Sequence, residues 1–220
     1  MTDEVDEGRW GNLPVPPDPF PWSADADKRL RRWIEALLAT PGLTAIRDPD
    51  EARRVHVDQP LAAVPVVERY EGPIVDVGSG GGAPGLPLAA ALPDREVTLL
   101  ESNGRKAAFL ERVAAEFPNV RVVRVRAEEH APHTYGVAVA KALAPPAVAA
   151  ELCLPLVRTG GAAVLYVGPS ADADAVGVAA GRLGGGPPEQ HPGLLVVAKI
   201  APTPAGFPRR AGMAAKRPLA

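Results

Sequence analysis

The chain has 220 residues, 46% of them hydrophobic, with 24 Lys+Arg against 26 Asp+Glu and a formal charge of −2. That length supports one domain with a substantial core, and the near-neutral charge excludes a global attraction to polyanions. A lone cysteine, Cys153, excludes an internal disulfide and a cysteine metal cluster, and no apolar run approaches the ~20 residues that span a bilayer. Residues 1–22 are acidic and rich in proline (Pro14, Pro16, Pro17, Pro19, Pro21), so a disordered arm is expected there. The acidic start is unlike a secretory signal, which points to the cytoplasm. Ser23 is expected to cap a helix in which residues 28–38 set Leu30, Trp33, Ile34, Leu37 and Leu38 on one face. Thr40-Pro41-Gly42 ends it. A second helix is expected after Asp48, with Pro49 in its first turn, running through Arg54. Residues 56–68 are apolar enough to pack on a sheet, so 23–70 read as an N-terminal helical cap.

From 71 to 200 strands and helices alternate. Strands are expected at 73–77, 96–100, 120–125, 136–140, 162–167 and 194–200. Helices are expected at 85–92, at 105–116 with Ala108, Leu110 and Val113 inward, from Pro145 or Pro146 to 157, and at 171–182. This alternation predicts an α/β fold with a doubly wound, mostly parallel sheet. Residues 201–220 form a basic tail. From 192 to 220 there are five bases and no acid, whereas residues 1–27 hold seven acids and one base.

The chemistry concentrates in residues 73–88, PIVDVGSGGGAPGLPL. An apolar strand carrying Asp76 breaks into Gly78, Gly80, Gly81, Gly82 and Gly85 before the next helix. Glycines allow positive φ and a close ligand approach, and amides at the helix start are expected to face polar ligand atoms. The run from Gly80 through Gly82 to Gly85, with Glu101 about 20 residues on, fits a dinucleotide fingerprint. The pattern of Asp76, Gly78, Gly80 and Gly82 fits a methyl-donor loop better, because a carboxylate suits a cation such as the amino group of S-adenosylmethionine.

Ligands of doubly wound sheets lie at the carboxyl ends of the strands. Glu101 stands there to accept ribose hydroxyls, with Ser102 and Asn103 offering amides. Ala127 and Glu128 follow the third strand and can address an adenine edge. Lys141 follows the fourth, beside the expected reacting methyl group. His56 and Asp58 are candidates for orienting an acceptor, whereas His130, His133 and His191 read as surface residues. Cys153, among leucines, reads as a buried structural thiol. No metal-spaced cluster is present, and no metal is expected.

Three stretches carry a resemblance: Asp76-Val77-Gly78-Ser79-Gly80 with Ala83-Pro84-Gly85-Leu86-Pro87; Leu100-Glu101-Ser102; and Arg126-Ala127-Glu128-Glu129. Leu43-Thr44-Ala45-Ile46-Arg47-Asp48, His56-Val57-Asp58 and Phe207-Pro208-Arg209-Arg210 with Lys216-Arg217-Pro218-Leu219 extend it. From about residue 28 to the end the chain resembles the 16S ribosomal RNA guanine-N7 methyltransferase family, also called the glucose-inhibited division protein B family. The resemblance implies S-adenosylmethionine held through Gly78, Ala83, Glu101, Ser102, Asn103, Ala127 and Glu128, to which the pattern of the residues adds Asp76, Gly80 and Lys141. It implies a guanine in 16S ribosomal RNA or the small ribosomal subunit as acceptor; a monomer is expected. Arg209, Arg210, Lys216 and Arg217 would hold RNA phosphates, apart from the donor site.

Guanine N7 carries an exposed lone pair, so in-line displacement needs no general base; Lys141, His56 and Asp58 would only position. Three residues depart from the family. Lys141 replaces an arginine and loses its bidentate fork, Val167 stands where lysine is common, and Gly42 where asparagine often precedes Leu-Thr. The alternatives are a small-molecule methyltransferase, which needs no basic tail, and a non-catalytic RNA-binding relative.

Overall fold

A computed structural model describes residues 20–21 and 23–220, so the arm expected at 1–22 lies almost wholly outside the described residues. Helix α1 (Ala24–Leu38) starts on Ser23, whose Oγ accepts from the Ala26 amide at 3.1 Å. Asp25 and Asp27 in its first turn favour the positive end of the helix dipole. Leu30, Trp33, Ile34 and Leu37 face the core, as their spacing predicts. Helix α2 (Pro49–Arg53) starts on Asp48, whose Oδ1 accepts from the Glu51 amide at 2.8 Å. The helical path does not stop at Arg54. It widens into a π turn over Arg54–Asp58, tightens into a 3₁₀ turn over Gln59–Ala63 and ends in α3 (Val64–Val67). Pro60 and Pro65 each remove a backbone donor, which forbids one continuous α ladder.

The remaining elements are β1 (Ile74–Val77), α4 (Gly85–Ala91), β2 (Val97–Leu100), α5 (Gly104–Ala114), β3 (Val120–Val123), β4 (Tyr135–Lys141), α6 (Pro146–Cys153), β5 (Val157–Tyr166), α7 (Ala173–Gly181), β6 (Glu189–His191), β7 (Leu194–Ala198) and α8 (Met213–Lys216). The sheet order is β3-β2-β1-β4-β5-β7-β6, parallel from β1 to β5. The last two strands differ from expectation. β7 runs antiparallel to β5, with Leu194 opposite Tyr166, and polar β6 adds an edge strand by a hairpin. The inward face of α5 is Ala107, Phe109, Leu110 and Val113; Ala108 points to solvent.

Successive β1 residues face opposite sides of the sheet and feed two apolar clusters. Ile74 joins Trp33, Leu37, Val57 and Leu86 under the cap. Val75 and Val77 join Leu100, Cys153, Leu154 and Val176 beneath α6 and α7. Burial among these groups pushes the Cys153 thiol far up, so it is inert. Three hydrogen bonds fix the cap to the carboxyl edge of the sheet. Trp33 Nε1 donates to Gly81 O at 2.8 Å, Lys141 Nζ to Val55 O at 3.1 Å and Tyr166 Oη to Pro60 O at 2.6 Å. No helix among the described residues is long and apolar enough to cross a membrane.

Candidate functional site

The order β2-β1-β4 puts the switch point of the sheet beside the glycine loop. Gly78, Gly80 and Gly82 have φ of +71°, +56° and +111°, a region that side chains rarely enter. A Cβ on Gly78 would also stand 2.4 Å from Leu143 Cδ1. Gly78→Ala is therefore expected to cost about 1–3 kcal/mol through strain and overpacking, read as a lower urea midpoint.

Five amides of the loop and helix start are engaged within the chain, contrary to expectation. Gly78 N and Ser79 N donate to Leu100 O at 2.8 and 3.1 Å, Gly80 N to Glu101 Oε2 at 3.0 Å, Gly82 N to Ser79 O at 2.7 Å and Gly85 N to Asp76 Oδ2 at 3.0 Å. A pyrophosphate would meet engaged donors and two carboxylates, which argues against the dinucleotide alternative.

Asp76 is 1% exposed and does not line the adjoining cavity. Burial pushes its carboxyl up to about 7, opposed by the Gly85 amide and Ser79 and reinforced by Glu101. It braces the loop onto α4 instead of facing a ligand directly. Glu101, 7% exposed, accepts from Gly80 N and, through Oε1, from Asn103 N at 2.7 Å. A carboxylate offers about four acceptor positions, so both oxygens keep capacity for hydroxyls. Asn103 Oδ1 in turn caps α5, accepting from Arg105 N and Lys106 N at 3.0 and 3.2 Å.

A cavity of about 220 Å³ opens between the ends of β1, β2 and β3 and helix α6. Val77, Leu100, Val125, Leu143 and Val148 make its walls apolar, and Gly78, Ser102, Ala127 and Glu128 also line it. Apolar walls beside a carboxylate suit a flat heteroaromatic base joined to a diol. A larger cavity, about 700 Å³, lies at the opposite edge near Tyr70 and Arg95. It is the wrong end of the strands for a doubly wound ligand site, and Arg95 there is tied to the carbonyls of Val67 and Gly72.

In the cap over the end of β4, His56 Nε2 lies 3.1 Å from Thr44 Oγ1. Burial, and then the Lys141 charge, push the imidazole down to about 3, so it is neutral. Asp58 instead faces Arg53 Nε at 3.6 Å, and burial raises its carboxyl. The structure thus groups Lys141 with His56 and leaves Asp58 on an ion-pair network with Arg53 and Asp27. Ala142, next after Lys141, has φ +54°, a strained conformation that nothing in the sequence announces.

The basic tail folds back onto the domain. Arg209 Nε and Nη2 donate to Glu151 Oε1 and Oε2, both at 2.6 Å, so Arg209 does not offer its fork to phosphate. Gly212 N donates to Glu128 Oε1 at 2.8 Å. Gly212, Ala214 and Ala215 line the cavity, which sequence reasoning missed; the signal was one acid, Glu151, inside the apolar helix PAVAAELC. Arg210, Lys216 and Arg217 remain exposed. Among the described residues no group of three His, Cys, Asp or Glu could hold a metal ion.

The reversed β7, the glycine loop after β1 and the acid after β2 define a class I methyltransferase fold. Two solved structures share it at TM-score 0.50. One is MtNAS in complex with S-adenosylmethionine, 14% identical and matched over 79% of this chain and 73% of that one. The other is an O-methyltransferase from neocarzinostatin biosynthesis, 19% identical over 65% and 55%. Residues 28–179 match the family model described as rRNA small subunit methyltransferase G, and the chain belongs to that family. The ribosomal RNA small subunit methyltransferase G of Clostridium beijerinckii is 34% identical over 215 residues, covering 89% of this chain and 88% of that protein. The one from Roseiflexus castenholzii is 42% identical over 165 residues, covering 66% and 70%.

Proposed function

We propose that the protein transfers a methyl group from S-adenosylmethionine to N7 of a guanine in 16S ribosomal RNA. The observation that carries the donor half is Glu101, half-satisfied by main-chain amides and set between Leu100 and Ser102, two residues that line an apolar cavity. That arrangement fits an adenosine, with its hydroxyls on Glu101 and its base between Leu100, Ala127 and Leu143. Asp76 acts through the loop it braces. The donor supplies an electrophilic methyl group on a sulfonium.

The chain's own contribution is positioning, since the N7 lone pair needs no deprotonation. Lys141, at the end of β4, and His56, in the π turn of the cap, are the positioning groups on the acceptor side, and Asp58 supports the cap. Because burial keeps His56 neutral, it adds no second cation beside a base that becomes positive on methylation. N7 faces a groove that side chains read poorly in paired RNA, so the target guanine lies in an accessible loop or is exposed during ribosome assembly. Arg210, Lys216 and Arg217 would contact phosphate there. On this reading the protein works in the cytoplasm as a monomer.

Incubating it with tritiated S-adenosylmethionine and immature small subunits is expected to label 7-methylguanosine in nucleoside digests. Label confined to small metabolites would favour the small-molecule alternative, and donor binding without any transfer would favour a non-catalytic relative.

A further inference from the structure

We infer that residues 207–217 form a wall of the donor pocket, held by the Arg209–Glu151 pair, so that Arg209 is a positioning residue for the donor and not a phosphate ligand. The inference rests on the donor reading above. Glu151 projects from α6, the helix that already forms one side of the cavity, and is 4% exposed. Such a carboxylate requires a partner, and Arg209 supplies a bidentate one at 2.6 Å on both oxygens. The same guanidinium donates to Arg217 O at 2.8 Å, which closes the segment on itself.

Between those two residues the chain turns through Gly212, at φ +79°, and its amide bonds to Glu128 Oε1 at 2.8 Å. Glu128 follows β3 on the far side of the cavity, so one segment bridges both walls. Gly212, Ala214 and Ala215 then close the opening, and Ala214 is 3% exposed. Phe207 and Leu219, on either side, pack against the cluster under α6 and α7. The segment is therefore part of the domain, and its charged side chains Arg210, Lys216 and Arg217 are presented to solvent.

The wall narrows the pocket to about 220 Å³, below the roughly 300–1,000 Å³ of most ligand pockets. Small residues at 212, 214 and 215 leave room for a flat base, whereas a larger side chain would occupy its place.

The test is calorimetric titration of S-adenosylhomocysteine into the full chain and into Arg209→Ala, Arg209→Lys, Ala214→Phe and, as a remote control, Arg69→Ala. Arg69 carries another bidentate carboxylate pair, with Glu189, away from the pocket. Arg209→Ala is expected to weaken binding at least tenfold, Arg209→Lys less, Ala214→Phe at least tenfold, and Arg69→Ala by less than twofold. With saturating RNA, Arg209→Ala should raise the KM for S-adenosylmethionine in proportion while kcat changes less than twofold. Ala214→Phe decides the matter if Arg209→Ala fails to fold. Wild-type binding with both Arg209→Ala and Ala214→Phe within twofold of it would overturn the inference, as would a loss of RNA affinity alone in Arg209→Ala. A wild-type chain that does not bind the probe would instead overturn the donor reading beneath it.

Discussion

Glu101→Ala is expected to raise the dissociation constant for S-adenosylhomocysteine by about 100-fold or more, equivalent to about 3 kcal/mol. Two effects add. Hydrogen bonds to a charged acceptor are each worth about 1.5–3 kcal/mol, and a ribose would make two of them. The substitution also strips the Gly80 and Asn103 amides of their partner and so loosens both the glycine loop and the start of α5. Glu101→Gln separates the two, because its carbonyl oxygen keeps one acceptor while the amide nitrogen faces an amide donor. It should fall between wild type and Glu101→Ala. Calorimetry that found the alanine variant within threefold of wild type would remove Glu101 from the site.

Asp76→Asn should change the pH dependence of stability strongly. Burial raises the native carboxyl from 3.8 to about 7, so the folded state holds its proton more tightly than the unfolded chain. Asp76 therefore stabilises fully below about pH 4, and that contribution is lost as pH rises through about 7. The full swing is on the order of 4 kcal/mol, from a difference of about 3 units at 1.36 kcal/mol each. Asparagine does not titrate, and its carbonyl oxygen can still accept from Gly85 N. The variant should melt several degrees above wild type at pH 8 and lose that advantage near pH 5. A variant that melts below wild type at pH 8 would show that the ionised carboxylate gains more from Gly85 and Ser79 than it loses by burial.

The strand–glycine–helix run was legible because its signal is local: an apolar strand, a break and a new apolar run within 16 residues of sequence. The parallel part of the sheet followed from the alternation of such runs. Direction was not legible. Residues 194–198 are apolar on both faces whichever way the strand runs, and only the short link from β6 through Gly193 makes the reversal. Glu101 just past β2 and Lys141 at the end of β4 follow from the strand pattern, yet sequence could not tell which way the carboxylates of Asp76 and Glu101 turn. That depends on the Gly85 and Gly80 amides, nine and 21 residues away. Within the tail, the pairing of Arg209 was hidden for the same reason. Five bases without an acid look like a phosphate ligand until Glu151, 58 residues earlier, is brought beside Arg209.

The bond from Trp33 to the Gly81 carbonyl has an optical consequence. The indole is 1% exposed and its N–H is fixed to the glycine loop, so its emission depends on that loop's position. With Trp10 and Trp22, which lie outside the described residues, replaced by phenylalanine, Trp33 would be a single intrinsic fluorophore wired to the glycine loop, and ligand entry at the proposed donor site could be followed in stopped flow without a label.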